Sequence, residues 1–324
     1  MRTVYIFSLP RSGSTLLQRM LVQIPDVQTT AENWLLLHLF SITNSEHGLY
    51  TIYGGRQSVD AFNHYQELFG GKSNYFQEAL ELNKRLHQQC AHPDTKWFVE
   101  KTPRYHLIVN EIIENDPDAK FIFLWRNPLS IFNSIVSTWG DGKWNLHKYD
   151  LDIEVGFPRL VEAFKKFETR SLSINYEHLI SNPDREMYKV CNYLGVNTTQ
   201  VDWGNLPPIE GIMGDPNQFK AKYKNIRDVP KDIGKKYAEL ATPIRKRIVR
   251  QRLKILGEKS LATIGYSMED LLKEIDNIPT SISRMPKDFR IPFSVMLFRY
   301  LEPYVMYHKY KEGYRFKRWR YPLN

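Results

Sequence analysis

An α/β fold with a central parallel sheet follows from three features of the sequence. Short apolar runs recur at wide spacing. Each is followed by a turn and a helical pattern. The first of those turns carries a single glycine among serines. The runs are Thr3–Phe7, Lys96–Val99, Lys120–Trp125 and Leu172–Tyr176, with a weaker fifth at Val27–Thr30. Strands buried on both faces read as continuous apolar runs, and strands alternating with helices pair in parallel between helical layers. The expected architecture is a three-layer sandwich with helical insertions and a helical C-terminal extension.

The first run leads into "LPRSGSTLLQRML", Leu9 to Leu21. The P-loop pattern is G-x-x-x-x-G-K-[ST], and its fixed positions fall here on Ser8, Gly13, Ser14 and Thr15. A strand that turns tightly into a helix aims several backbone N–H groups and the positive end of the helix dipole at one place. Gly13 lets the backbone approach a ligand closely. Ser12, Ser14 and Thr15 add hydroxyls, and Arg11 adds a permanent fork-shaped cation. The lysine that reaches a γ-phosphate is absent. The turn therefore predicts a P-loop-like fold that grips a phosphate-like group without hydrolysing ATP, and it disfavours a nucleotide kinase.

Ligands of such sheets bind beyond the carboxyl ends of the strands. The turn after Phe7, the segment Glu100–Pro103 and the turn at Arg126 are expected to converge on one crevice. Glu32, just after the weak second strand, is expected to reach it too. Helical insertions at about 33–95 and 140–170 are placed to cover it. The second carries a turn at Trp139, Gly140, Gly142 and Trp144, then an amphipathic helix near Val155–Thr169. A basic helix is expected over 231–256. The α/β domain is read as 1–265, with 266–324 as a basic, aromatic helical extension packed on or beside the core.

Composition bounds the partners. The chain has 324 residues, 42% hydrophobic and 25% charged, an ordinary globular balance. No apolar run approaches the roughly 18–20 residues of a membrane span. The chain enters its first strand almost at once, so no signal peptide is expected. Two cysteines, Cys90 and Cys191, make no disulfide framework, and a cytoplasmic location is expected. No His, Cys, Asp or Glu cluster has metal-ligand spacing, so no metal is expected. The net charge of +9 favours anionic partners: a nucleotide, a sulfated or phosphorylated substrate, a membrane surface or nucleic acid. From Tyr307 to Asn324 six basic residues face one acid, interleaved with aromatics. That tail suits an anionic membrane surface or a solvated basic end; nucleic acid is not the expected partner. The sequon Asn197-Thr198-Thr199 carries little meaning without a secretory signal.

"PRSGSTLLQRML" resembles the 5′-phosphosulfate-binding loop of sulfotransferases, which use 3′-phosphoadenosine 5′-phosphosulfate (PAPS). The style is closest to tyrosylprotein-type and bacterial members, which place Arg where many cytosolic members have Lys. The resemblance assigns Pro10, Arg11, Ser12, Gly13, Ser14 and Thr15 to the donor, with Arg11 also at the sulfuryl group. "FIFLWRNPLSIFNSIVS" is similar to the family's 3′-phosphate element, which uses an Arg and a Ser at the separation of Arg126 and Ser134. "VEKTPRYHLIVNEI" is similar to the segment between those two loops and puts Lys101 at the crevice mouth. "INYEHLISNPDREMYKVCNYLGV" is similar to the late strand–helix unit and puts Tyr176 near the nucleotide. One of Lys220, Lys222 and Lys224 is a weak match to a late basic contact.

The resemblance spans about residues 3–200 and implies a PAPS-dependent transferase that needs no metal. The hydroxyl acceptor is a glycan, a lipid, a small molecule or a protein tyrosine. It implies Glu32 as the base, being a Glu 21 residues after the loop arginine. Other members use a histidine, for which His38, His106 and His147 are candidates. The alternative is a P-loop-like nucleotide- or polyanion-binding protein without turnover. The joint presence of Arg11 and Glu32 favours the enzyme.

Overall fold

The computed structural model describes residues 1–43, 55–196, 201–209, 224–228, 237–282 and 285–301. The aromatic basic tail beyond 301, Lys220, Lys222 and the sequon lie outside the described residues.

Five strands form one parallel sheet in the order β2-β3-β1-β4-β5. They are β1 Arg2–Phe7, β2 Val27–Thr29, β3 Trp97–Glu100, β4 Lys120–Trp125 and β5 Ser171–Asn175. β1 lies at the centre, in register with β3 on one side (Val4 opposite Val99) and with β4 on the other (Ile6 opposite Ile122). The chain leaves β1 toward β2, returns through β3, and crosses to β4 and β5. The strand order therefore reverses around β1, and a crevice opens at its carboxyl end.

Alternation along the strands builds the three layers. Val4 and Ile6 of β1 and Ile122 and Leu124 of β4 face one helical layer. That layer is α1 (Ser14–Leu21), α8 (Tyr176–Ser181) and α9 (Pro183–Leu194), packed through Leu17, Met20, Leu179 and Val190. Tyr5, Phe7, Phe121, Phe123 and Trp125 face the other way. On that side lie α2 (Leu35–Ser41), α4 (Gly71–Cys90), α5 (Val109–Asn115), α6 (Pro128–Trp139) and α7 (Phe157–Lys166). α3 (Gly55–Glu67) packs against α4. The rings of Tyr5, Phe7 and Phe121 stack with centroids 6.0–6.1 Å apart.

Three element boundaries differ from the sequence reading, each for a local reason. The basic helix begins at Pro243 and not at 231; it is α10, Pro243–Leu256. Proline lacks the N–H for an intrahelical bond and pushes the preceding residue out of the α region. Thr242 is accordingly extended (φ −81°, ψ 152°), and its hydroxyl caps the helix by accepting from Arg245 N–H. Tyr176 starts α8 instead of ending β5, because the Asn175 side chain accepts from His178 N–H as an N-cap. The helix of the second insertion is split into a π-helical turn at Leu151–Gly156 followed by α7.

Helices after α10 extend the second apolar layer. Val249 and Leu253 of α10 join the same core as Leu271 and Ile275 of α12 (Met268–Asn277). α11 (Glu258–Thr263) lies between them in sequence. Among the described residues no helix is long and apolar enough to cross a membrane.

Candidate active site

The turn between β1 and α1 has two residues in the left-handed region, Arg11 (φ 69°) and Gly13 (φ 92°). Gly13 is the N-cap of α1, and no side chain caps the helix. Leu16 and Leu17 N–H both bond back to Gly13 C=O, at 2.9 and 3.2 Å. The first amides of the helix are thus aimed past the glycine, as an anion cradle requires. Pro10, Ser12, Ser14 and Thr15 are buried in this turn. Gly13 is also fixed by contact. A Cβ there would lie 2.3 Å from Cε2 of Tyr176, so the phenol ring rests directly on the turn.

Tyr176 couples that turn to the end of β4. Its ring lies under the Arg126 guanidinium, 4.2 Å from ring centroid to Cζ. Arg126 Nη1 donates to the backbone carbonyl of Arg11 at 2.6 Å, while its buried Nε has no partner. Arg11 Nε donates in turn to Ser134 Oγ at 3.1 Å, and Arg11 Nη2 to Thr138 Oγ1 at 3.2 Å. Arg126, Arg11 and Ser134 therefore form one hydrogen-bonded run. The rise of α6 separates Ser134 from Arg126, and the Arg11 side chain fills that gap by lying along the helix. Its guanidinium also sits 5.1 Å from the Trp139 ring centroid.

Thr138 and Trp139 were not identified from sequence. The available signal was spacing: Thr138 is four residues after Ser134 and shares its helix face.

The ends of β2 and β3 bring a second pair together. Lys101 Nζ lies 2.5 Å from Glu32 Oε1, and both side chains are largely buried. Lys101 lies in the wall of the crevice as half of this ion pair and does not project from its mouth. β2 is held in place for this contact: Gln18 Nε2 donates to Thr29 Oγ1 at 2.6 Å and to Thr30 C=O at 2.9 Å, and Thr29 Oγ1 donates to Val99 C=O at 2.7 Å.

Next to this pair along each segment, at Asn33 and Glu100, lies a hub that sequence reasoning missed. Buried Glu100 accepts from Tyr105 OH at 2.5 Å, from Asn83 Nδ2 at 2.5 Å and from Asn33 Nδ2 at 3.4 Å. His87 stands 3.6 Å from it and stacks on Phe98, with centroids 4.1 Å apart. Burial, and then the adjacent Glu100 charge, push the Tyr105 phenol far up, so it stays protonated and donates. Burial lowers the His87 pKa against the opposing pull of Glu100. The hub ties Asn33 to Glu100, and so ties the backbones carrying Glu32 and Lys101.

The remaining candidates lie elsewhere. His106 is fully buried with Nε2 2.8 Å from Asp152 Oδ1. His147 is buried against Ser294 and Phe298. His38 is exposed on α2, and Lys224 is exposed. Among the described residues no group of three or more His, Cys, Asp or Glu could hold a metal ion.

The crevice offers groups suited to an anion and a carboxylate–ammonium pair. The uncapped start of α1 and the unpartnered Nε of Arg126 both fit phosphate oxygens. Glu32 and Lys101 set a carboxylate and an ammonium together in the crevice wall.

Comparison with known proteins gives the same direction. A family model described as "Sulfotransferase family" matches residues 3–200. Nodulation protein NoeE of Sinorhizobium fredii is 25% identical over 251 residues, covering 69% of this chain. The match takes in 58% of that relative's own length. Among solved structures, the sulfotransferase domain of the Synechococcus PCC 7002 olefin synthase superposes with a TM-score of 0.50 at 20% identity. That match covers 85% of this chain and 94% of the domain, and it shows a shared fold. With its sheet, its glycine turn and a family match over most of the α/β core, this chain belongs to the sulfotransferase family.

Proposed function

We propose that this protein transfers a sulfuryl group from PAPS to a hydroxyl acceptor. The observation that carries the reading is the run Arg126–Arg11–Ser134. It joins the two elements that resemble the family's 5′-phosphosulfate and 3′-phosphate sites. The 5′ end of the donor belongs at the start of α1 with Ser12, Gly13, Ser14 and Thr15. The 3′-phosphate belongs at Arg126 and Ser134, with Tyr176 beneath. Arg11 bridges the two and is long enough to turn from Ser134 toward the transferred group.

The donor supplies the sulfuryl group when bound. The acceptor oxygen forms the new S–O bond, and the bond from sulfur to the bridging phosphate oxygen breaks, that oxygen keeping the electron pair. Glu32 takes the acceptor's proton. Lys101 and Arg11 offset the charge that develops on the leaving side. Such catalysis rests on positioning and fixed charges. The rival reading, a nucleotide- or polyanion-binding protein without turnover, gives no role to a carboxylate held against a lysine at the crevice wall.

The test is calorimetric titration with adenosine 3′,5′-bisphosphate and with 5′-AMP. The bisphosphate is expected to bind at least ten-fold more tightly, since a phosphate held by charged hydrogen bonds contributes about 1.5–3 kcal/mol. Equal affinities would remove the basis of the assignment.

A further inference from the structure

A cavity of about 180 Å³ is lined by residues of the two segments that follow Glu32 and Lys101. Its position is set by the chain: Trp34 in its lining is two residues past Glu32, and Arg104 is three residues past Lys101. The Arg104 guanidinium lies 6.0 Å from the Trp34 ring centroid and is held by Asp152, whose Oδ1 is 3.5 Å from Arg104 Nε. Leu37, Phe40, Leu107 and Ile108 form the walls. Leu151, 41% exposed, adds an apolar edge. The polar residues of the lining, His38, Ser41, Thr43, Arg104 and Glu111, stand around this apolar wall.

A chain of side-chain contacts relates this cavity to the glycine turn. Tyr149 lies within the electrostatic reach of Arg104, Asp152 and Arg11. Its ring stacks on Trp139 with centroids 4.8 Å apart, and Arg11 lies over Trp139. Tyr149 and Trp139 thus stand between Arg104 of the cavity lining and Arg11 of the glycine turn.

We infer that this cavity is the acceptor subsite, and that it takes an alcohol carrying a compact apolar group. The inference rests on the sulfotransfer reading above. The volume suits one aromatic ring or a short alkyl chain, since a cavity of roughly 150 Å³ lined by Leu, Ile and Phe accommodates benzene. The apolar walls exclude a bare sugar, whose hydroxyls would lose their water without gaining partners. Hydroxyl and apolar group divide at Trp34: the hydroxyl stays with Glu32 and the apolar group passes into the cavity.

The experiment uses the full chain with and without saturating adenosine 3′,5′-bisphosphate. Dissociation constants for 1-butanol, 1-hexanol and methyl glucoside are read by ligand-observed NMR. Each buried methylene strengthens binding roughly four-fold, so 1-hexanol is expected to bind at least ten-fold more tightly than 1-butanol. Methyl glucoside is expected to bind more weakly than either. Two variants fill or charge the cavity from its exposed edge, Ser41→Trp and Leu151→Asp. Each is expected to weaken 1-hexanol binding by ten-fold or more while leaving bisphosphate affinity unchanged.

Equal binding of the two alkanols, glucoside binding as tightly as hexanol, or full hexanol affinity in both folded variants would each overturn the inference. A protein that prefers hexanol yet ignores the bisphosphate would sink the sulfotransfer reading and leave an apolar alcohol site standing. A protein that binds the bisphosphate but shows no alkanol preference would do the reverse.

Discussion

Gly13→Ala is the most sensitive test of how the donor turn is built. The substitution acts in two separable ways. Alanine at φ 92° is strained, which costs about 1–2 kcal/mol. Its Cβ would also fall 2.3 and 2.4 Å from Cε2 and Cδ2 of Tyr176. Contacts that short force the ring to move, and overpacking of this kind costs about 1–3 kcal/mol. Together these place the variant about 2–5 kcal/mol below wild type, with a correspondingly lower Tm. The ring cannot move without leaving Arg126, so affinity for adenosine 3′,5′-bisphosphate should fall as well.

Tyr176→Ala separates the two contributions. In the double variant the clash is gone and only the φ strain and the lost ring remain. The two single effects should therefore sum to about 1–3 kcal/mol more than the double effect. Urea unfolding of the four proteins measures this directly. Additive effects, or a Gly13→Ala protein within 1 °C of wild type (about 0.7 kcal/mol), would refute the ring-on-glycine account of the turn.

The other predictions address the two ends of the crevice and its support. Arg126→Ala should weaken adenosine 3′,5′-bisphosphate by roughly ten-fold or more, with a much smaller effect on 5′-AMP, because it removes charged hydrogen bonds of about 1.5–3 kcal/mol each; calorimetry reads both. Glu32→Gln should retain bisphosphate affinity and lose roughly 10²–10⁴ in turnover, the usual contribution of a general base; full activity of this variant on its acceptor would place the base elsewhere. His87 has a folded pKa below its ordinary value of 6.5, chiefly from burial. Its contribution to stability is then fully present above pH 6.5 and is lost as pH falls through the folded pKa. Urea midpoints from pH 7.5 to 5 should fall more steeply for wild type than for His87→Phe, and parallel curves would exclude His87 as a source of acid sensitivity.

Legibility in the sequence follows the range of the interaction. β1, β4 and the glycine turn could be read because each is coded by consecutive residues: an apolar run, a lone glycine, a proline opening a helix. The start of α10 was misplaced although Pro243 stood in plain view, since the run of basic residues on both sides looked like one helix. Lys101 was legible as a crevice residue but not as a buried half of an ion pair. Its partner lies 69 positions away, just past the end of β2, with α2, α3 and α4 between them in the chain. Glu100 was invisible as a hub for the same reason: Asn83 and His87 come from α4 and Asn33 from the segment after β2, all distant in sequence.

The sequence by itself determined the layered parallel sheet, the glycine turn at Arg11–Thr15 and the arginine that follows β4. Strand burial, helix starts and left-handed glycine positions are set by neighbours along the chain. The tertiary structure alone decided that Arg11 spans from the turn to Ser134, that Tyr176 locks Gly13 beneath Arg126, and that Glu32 meets Lys101. These contacts depend on which strands pair, in what register, and on where long side chains come to rest in a packed crevice, and no local pattern carries that information.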